Sequence, residues 1–94
     1  MEIIWRQAAL NDLEAIREFI GQDNPQAAAR VRRAIRAAVE RLGAYPNLGR
    51  AGRVAGTREL IVPDTPYIVA YRVASSQLRI LSIIHASRQW PRRF

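Results

Sequence analysis

Cysteine is absent from this 94-residue chain, which excludes disulfides, zinc–cysteine sites and thiol nucleophiles. Lysine is absent too: all 15 basic residues are arginine, set against 8 acidic residues, for a net charge of +7 and a pI near 11.4. Arginine stays protonated at neutral pH, so these side chains can stabilise phosphate or carboxylate but do not act as general bases. Proton transfer would fall to the single histidine, His85, to a carboxylate or to a tyrosine. One histidine among scattered acids offers no metal-ligand cluster of the usual spacing, so neither metal nor cofactor is expected. The Gly-x-x-x-x-Gly-Lys-Ser/Thr arrangement is missing, which leaves nucleotide hydrolysis without support. No apolar run approaches the roughly 20 residues of a membrane helix. Residues Met1 to Arg6 lack an apolar h-region, so a cytoplasmic location without a membrane partner is expected.

At this length the chain reads as a single domain over residues 1–94. A chain of this size buries only roughly 60–65% of its unfolded surface. The core is therefore thin, and apolar surface is left for a partner to cover.

Residues 2–6 favour a short strand through Ile3, Ile4 and Trp5. Leu10, Leu13, Ile16 and Ile20 then recur at helical intervals and predict a helix over 8–21, with Asp12, Glu14, Arg17 and Glu18 turned mostly away. Asn24-Pro25 is a strong start signal, an N-cap followed by proline at the first helical position, where its missing N–H costs nothing. A second helix is predicted over 25–42, with the stripe Ala28, Val31, Ile35, Ala38 and Leu42 opposite Arg30, Arg33, Arg36 and Arg41. Gly43 suits a left-handed cap there and Pro46 prevents resumption. The short link between the helices implies an antiparallel hairpin.

Glycines 49, 52 and 56 mark the next stretch as loop. Residues 57–62, 67–73 and 78–85 are strand-like, separated by Pro63-Asp64-Thr65-Pro66 and Ala74-Ser75-Ser76-Gln77, so an antiparallel meander is predicted. The expected fold is α+β: an N-terminal strand and a helix hairpin packed on a mostly antiparallel four-stranded sheet. Leu13, Ile16, Val31, Ile35, Leu60, Val69, Tyr71 and Ile80 form its predicted core. Strict alternation along the last strand puts Leu78, Ile80, Ser82 and Ile84 on one face and Arg79, Leu81, Ile83 and His85 on the other. Both faces are apolar and the hairpin covers only one, so an open apolar groove is expected.

Several segments carry a resemblance jointly: Asn24-Pro25, Gly49-Arg50-Ala51-Gly52-Arg53, Gly56-Thr57-Arg58-Glu59-Leu60, Pro66-Tyr67-Ile68-Val69-Ala70-Tyr71-Arg72 and His85-Ala86-Ser87-Arg88-Gln89-Trp90-Pro91. In this order, behind a helical first half, they resemble the toxins of the bacterial RelE/ParE superfamily over nearly the whole chain. The resemblance implies a toxin neutralised by binding a cognate antitoxin, whose segment should be acidic and amphipathic to meet arginines and apolar surface. RelE-like members cut messenger RNA on the ribosome and place basic residues along the second and third strands. Here those positions hold Glu59, Ile61 and Ile68, which cannot compensate phosphate charge.

The pattern is closer to the ParE-like branch, whose members lack the nuclease set and poison DNA gyrase, and the short Arg-x-Trp-Pro ending is similar to it. On that reading the chain is a binding protein rather than a catalyst. Arg50, Arg53, Arg58, Arg88 and Trp90 contact the target, and Arg79, Leu81 and Ile83 contact the antitoxin in a hetero-oligomer. No catalytic residue is then expected, and no direct sequence-specific binding of nucleic acid. The nuclease alternative would rest on His85, Arg88 and Arg58, and a degenerate, non-toxic binding module is the third reading. Glycine-flanked loop arginines suit phosphate or an acidic partner equally. For Arg88 the competing structural role is an ion pair with Glu59 or with a C-terminal carboxylate.

Overall fold

The computed structural model describes all 94 residues. The elements run β1 (Glu2–Trp5), α1 (Gln7–Gly21), α2 (Pro25–Ala44), β2 (Arg50–Ala51), β3 (Arg58–Ile61), β4 (Tyr67–Ala74) and β5 (Gln77–His85). The predicted cap forms: the Asn24 side chain accepts from the Ala27 N–H at 3.0 Å, with Pro25 in the first turn. All five stripe positions of α2 are buried, joined by Val39. In α1 the buried stripe starts at Ala9, which is fully buried, whereas Leu10 is exposed. The helix therefore sits rotated from the phase that its larger apolar residues suggest.

The sheet has five strands in the order β1-β5-β4-β3-β2, one more than expected, because Arg50 and Ala51 pair antiparallel with Glu59 and Arg58. It is mixed rather than wholly antiparallel: β1 runs parallel to β5, and the remaining pairs are antiparallel. The hairpin covers one face, and Ile35, Leu42, Tyr71, Leu78 and Ile80 are fully buried between the layers. Ile16 and Leu60 are partly buried at the margin of this core. Gly43 lies inside α2 and has no positive φ, contrary to the left-handed cap expected. Its role is close approach, since a Cβ there would stand 2.9 Å from Ile3 Cδ1 on β1.

The alternation read along β5 fails at Leu81. Ser82 pairs with Ala70 and Ile80 with Tyr71, so Leu81 is an extra residue, a β-bulge that inverts the parity beyond it. Ile83 joins Leu78 and Ile80 in the main core, while Leu81 and Ile84 are buried outside that cluster, on the opposite face. Arg79, Leu81, Ile83 and His85 therefore do not share one open face.

That opposite face is not an open groove either. Ile68, Ala70, Leu81 and Ile84 are each at most 7% exposed. The chain beyond β5 returns over them, bringing Gln89, Pro91 and Phe94 beside Leu81 and Ile84. The thin core is thus completed by the chain's own tail.

Candidate functional site

Two arrangements gather the candidate residues. The first is built around Glu59, whose carboxylate is almost fully buried. It accepts from the Arg53 N–H at 2.7 Å and from the Arg50 guanidinium at 3.3 Å, with the Arg53 side chain 3.8 Å away. A buried carboxylate demands such partners, and supplying them folds the arginine loop onto β3 and creates β2. Arg53 then extends over Trp90, its guanidinium carbon 4.1 Å from the ring centroid. The loop and the tail are thereby joined: Glu59 holds Arg53 and Arg53 holds Trp90.

Arg58 leaves this group. Its guanidinium donates to the Gly49 carbonyl at 2.7 Å, on the side of the sheet that carries Tyr71. Buried Tyr71 donates to the Pro46 carbonyl at 2.8 Å and accepts from the Gly49 N–H at 2.9 Å. The glycine-lined cradle inferred for an anion is therefore occupied from within, since a Cβ at Gly49 would stand 2.6 Å from the Tyr71 hydroxyl. Burial raises the Tyr71 phenol above its ordinary pKa, against the smaller opposing effects of the Gly49 hydrogen bond and Arg58.

The second arrangement is a groove of about 530 Å³ between α1 and the far end of β4 and β5. Ala15, Ile16 and Ile83 line it, and Phe19 stands at its rim 73% exposed. Its polar side carries Tyr67, His85, Ser87 and Arg88. The Tyr67 and His85 rings meet edge to face at 5.4 Å. Burial raises the Tyr67 phenol, and the nearby Arg88 charge partly offsets it. Arg88 is exposed and makes no ion pair; its expected competitor Glu59 is taken by Arg50 and Arg53.

His85 is held by the turn that follows it. The Ser87 N–H donates to His85 Nδ1 at 3.1 Å, with Ser87 Oγ 2.8 Å from the same nitrogen. Nδ1 is thus an acceptor, and the ring proton of the neutral imidazole lies on Nε2. In this tautomer the free nitrogen is a donor, which does not suit a general base.

Of the three residues of the nuclease alternative, His85 and Arg88 line one groove and Arg58 does not join them. Tyr67 is opposite His85 and Tyr71 is opposite Arg58. Arg58 and His85 are thus separated by four residues along β4, about 13 Å. Sequence reasoning missed Asp12, which the helical periodicity turns away from the core. It accepts from Ser82 Oγ at 2.6 Å and from the Ile83 N–H at 3.0 Å, pairing the edge of β5 just beyond the end of β1. A carboxylate one residue before buried Leu13 was the available signal. No group of three or more His, Cys, Asp or Glu residues could hold a metal ion, and no helix is long and apolar enough to cross a membrane.

A helix hairpin on a mixed sheet, with an arginine loop clamped to a returning tail, defines a basic α+β domain of the RelE/ParE toxin superfamily. The family model described as "ParE toxin of type II toxin-antitoxin system, parDE" matches residues 3–90, and the chain belongs to that family. It is 47% identical over 89 residues to "Putative toxin Y4kP" of Sinorhizobium fredii, covering 95% of this chain and 92% of the relative. It is also 41% identical over 87 residues to "Toxin RelE2" of Caulobacter vibrioides, covering 93% and 97%. A solved structure of the chromosomal ParDE TA system from P. aeruginosa contains a similar chain, with a TM-score of 0.82 at 28% identity, covering 90% of this chain and 95% of that one.

Proposed function

We propose that this toxin acts by binding and disabling DNA gyrase in the cytoplasm, rather than by cutting RNA, and that a cognate antitoxin neutralises it. The observation that carries this reading is the dispersal of the basic set. Arg58 is spent on the Gly49 carbonyl, and the His85 ring is tethered through Nδ1 by Ser87. Glu59 occupies a strand position where phosphate chemistry needs a cation. RNA cleavage by a 2′-hydroxyl requires a base and several cations around one phosphate, whereas the groove that holds His85 offers a single guanidinium, that of Arg88. The surfaces present suit protein contact instead: Arg50 and Arg53 are half-exposed on the clamped loop, beside Trp90.

The antitoxin segment fits the groove beside α1. Phe19, Ile16 and Ala15 would receive its apolar side chains, and Arg88 would receive an acidic one. This replaces the site expected at Arg79, Leu81 and Ile83. Leu81 and Ile83 are buried, and Arg79 is engaged with Gln77 at 3.1 Å.

The test is to titrate purified chain into a gyrase supercoiling and cleavage assay beside a ribosome-programmed mRNA cleavage assay. Inhibited supercoiling or accumulated cleaved DNA, with intact mRNA, is the expected result. Ribosome-positioned cuts would overturn it in favour of the nuclease, and inactivity in both assays would leave a binding module without toxicity.

A further inference from the structure

The helix hairpin presents a cationic trough on its outer surface, apart from both arrangements above. Gly21, Ala28 and Ala29 form its floor, and its volume is about 640 Å³. Arg32, Arg33 and Arg36 of α2 stand over it, facing Arg17 and Glu18 of α1. Arg32 and Arg36 are one turn apart and Arg33 and Arg36 nearly so, which places three guanidinium groups on one helix face. All three are exposed, and none is in an ion pair. Arg17 is paired with Glu14, which the Arg32 charge also reaches. With Glu18 the one acidic group lining the trough, a net positive charge remains.

We infer that this trough binds the phosphate backbone of a nucleic acid, without regard to sequence. The floor of Gly21, Ala28 and Ala29 offers no large apolar side chain to anchor an amphipathic peptide, so attraction must come from charge. A polyanion with a regular row of charges supplies it best. The small floor residues let that backbone come near, and arginine forks match phosphate oxygens in pairs. The trough shares no lining residue with the groove beside α1 or with the Arg53–Trp90 contact.

The experiment measures binding of the full chain to a fluorescein-labelled mixed-sequence DNA duplex by anisotropy over a series of salt concentrations. Changing Arg32, Arg33 and Arg36 together to Gln, which preserves helix propensity, should lower the log–log salt slope by about 2.7, or about 0.9 for each phosphate no longer neutralised. The triple change to Lys should keep most of the slope. A control triple on the other side of the molecule, Arg79, Arg92 and Arg93 to Gln, should lower it by less than about 1. Equal losses from the two Gln triples would overturn the inference, because binding would then follow net charge alone. So would an unchanged slope in the α2 Gln triple. A poly-glutamate peptide that binds the unaltered chain more tightly than the duplex, and loses that binding in the same triple, would also overturn it and make the trough a site for an acidic protein.

Discussion

The guanidinium of Arg53 lies 4.1 Å above the centroid of the Trp90 ring, which joins the arginine loop to the chain's final segment. The indole Nε1 beneath is buried without a hydrogen-bond partner. Trp90 therefore meets the loop through its ring face, and the strength of that contact depends on the cation above it.

Removing either partner should loosen the tail where it meets the loop. A double-mutant cycle over Arg53→Ala and Trp90→Ala, read by urea unfolding, should give a coupling energy of about 0.5–2 kcal/mol. Zero coupling would make the stacking incidental. Each single change should also weaken gyrase inhibition, since the loop and tail form one proposed contact surface.

Glu59 should be the more costly position. Its carboxylate is buried, but its arginine partners are 55% and 47% exposed, so on Glu59→Ala their charges rehydrate and no charge is stranded. The loss is then that of charge-assisted hydrogen bonds, about 1.5–3 kcal/mol, rather than the about 3–5 kcal/mol of a broken buried pair. Glu59→Gln keeps an acceptor for the Arg53 N–H and should cost less. Urea midpoints of the two variants check this order, and equal losses would contradict it.

The local signals of the fold were legible and the long-range ones were not. Asn24-Pro25 announces α2 because cap and proline act within one turn. The bulge at Leu81 has no such marker: Leu78 to Ile84 is apolar on both faces, so the hydrophobic pattern that normally fixes register is silent about a slip. The fifth strand exists because Glu59 draws in Arg50 and Arg53, a demand that arises only once Glu59 is buried. The candidate site follows the same division. Arg50, Arg53, Arg58, Arg88 and Trp90 stand out as residues, whereas Arg58 turning to Gly49 and the tail covering Leu81 depend on which face each strand presents.

Alkaline pH should destabilise the fold through its two buried tyrosines. Burial raises both Tyr67 and Tyr71, so the folded chain holds these protons more tightly than the unfolded one. The stabilisation is complete below the unfolded phenol value of about 10 and is lost as pH rises through the folded values. Urea midpoints measured from about pH 8 to 11 should fall above 10. Tyr71→Phe should flatten that fall. It should also lower stability at neutral pH by about 1–3 kcal/mol, because the Gly49 N–H loses its buried partner.

Substitution at His85 and Arg88 separates binding from catalysis. Loss of a general acid or base typically costs about 10²–10⁴ in rate, so a nuclease would be nearly silenced by His85→Gln. Here Nδ1 is occupied by Ser87 and the ring packs on Tyr67, so glutamine should cost some local order and leave most of the toxicity. Arg88 differs because its guanidinium is exposed and unpaired at the groove rim. Arg88→Ala should weaken binding markedly. Arg88→Lys, which keeps the charge but loses the planar fork, should fall between the two. Growth arrest on induction, scored beside antitoxin affinity for each purified variant, distinguishes a damaged binding surface from a damaged fold. Abolition of toxicity by His85→Gln alone, with folding and antitoxin affinity intact, would assign the chain to RNA cleavage.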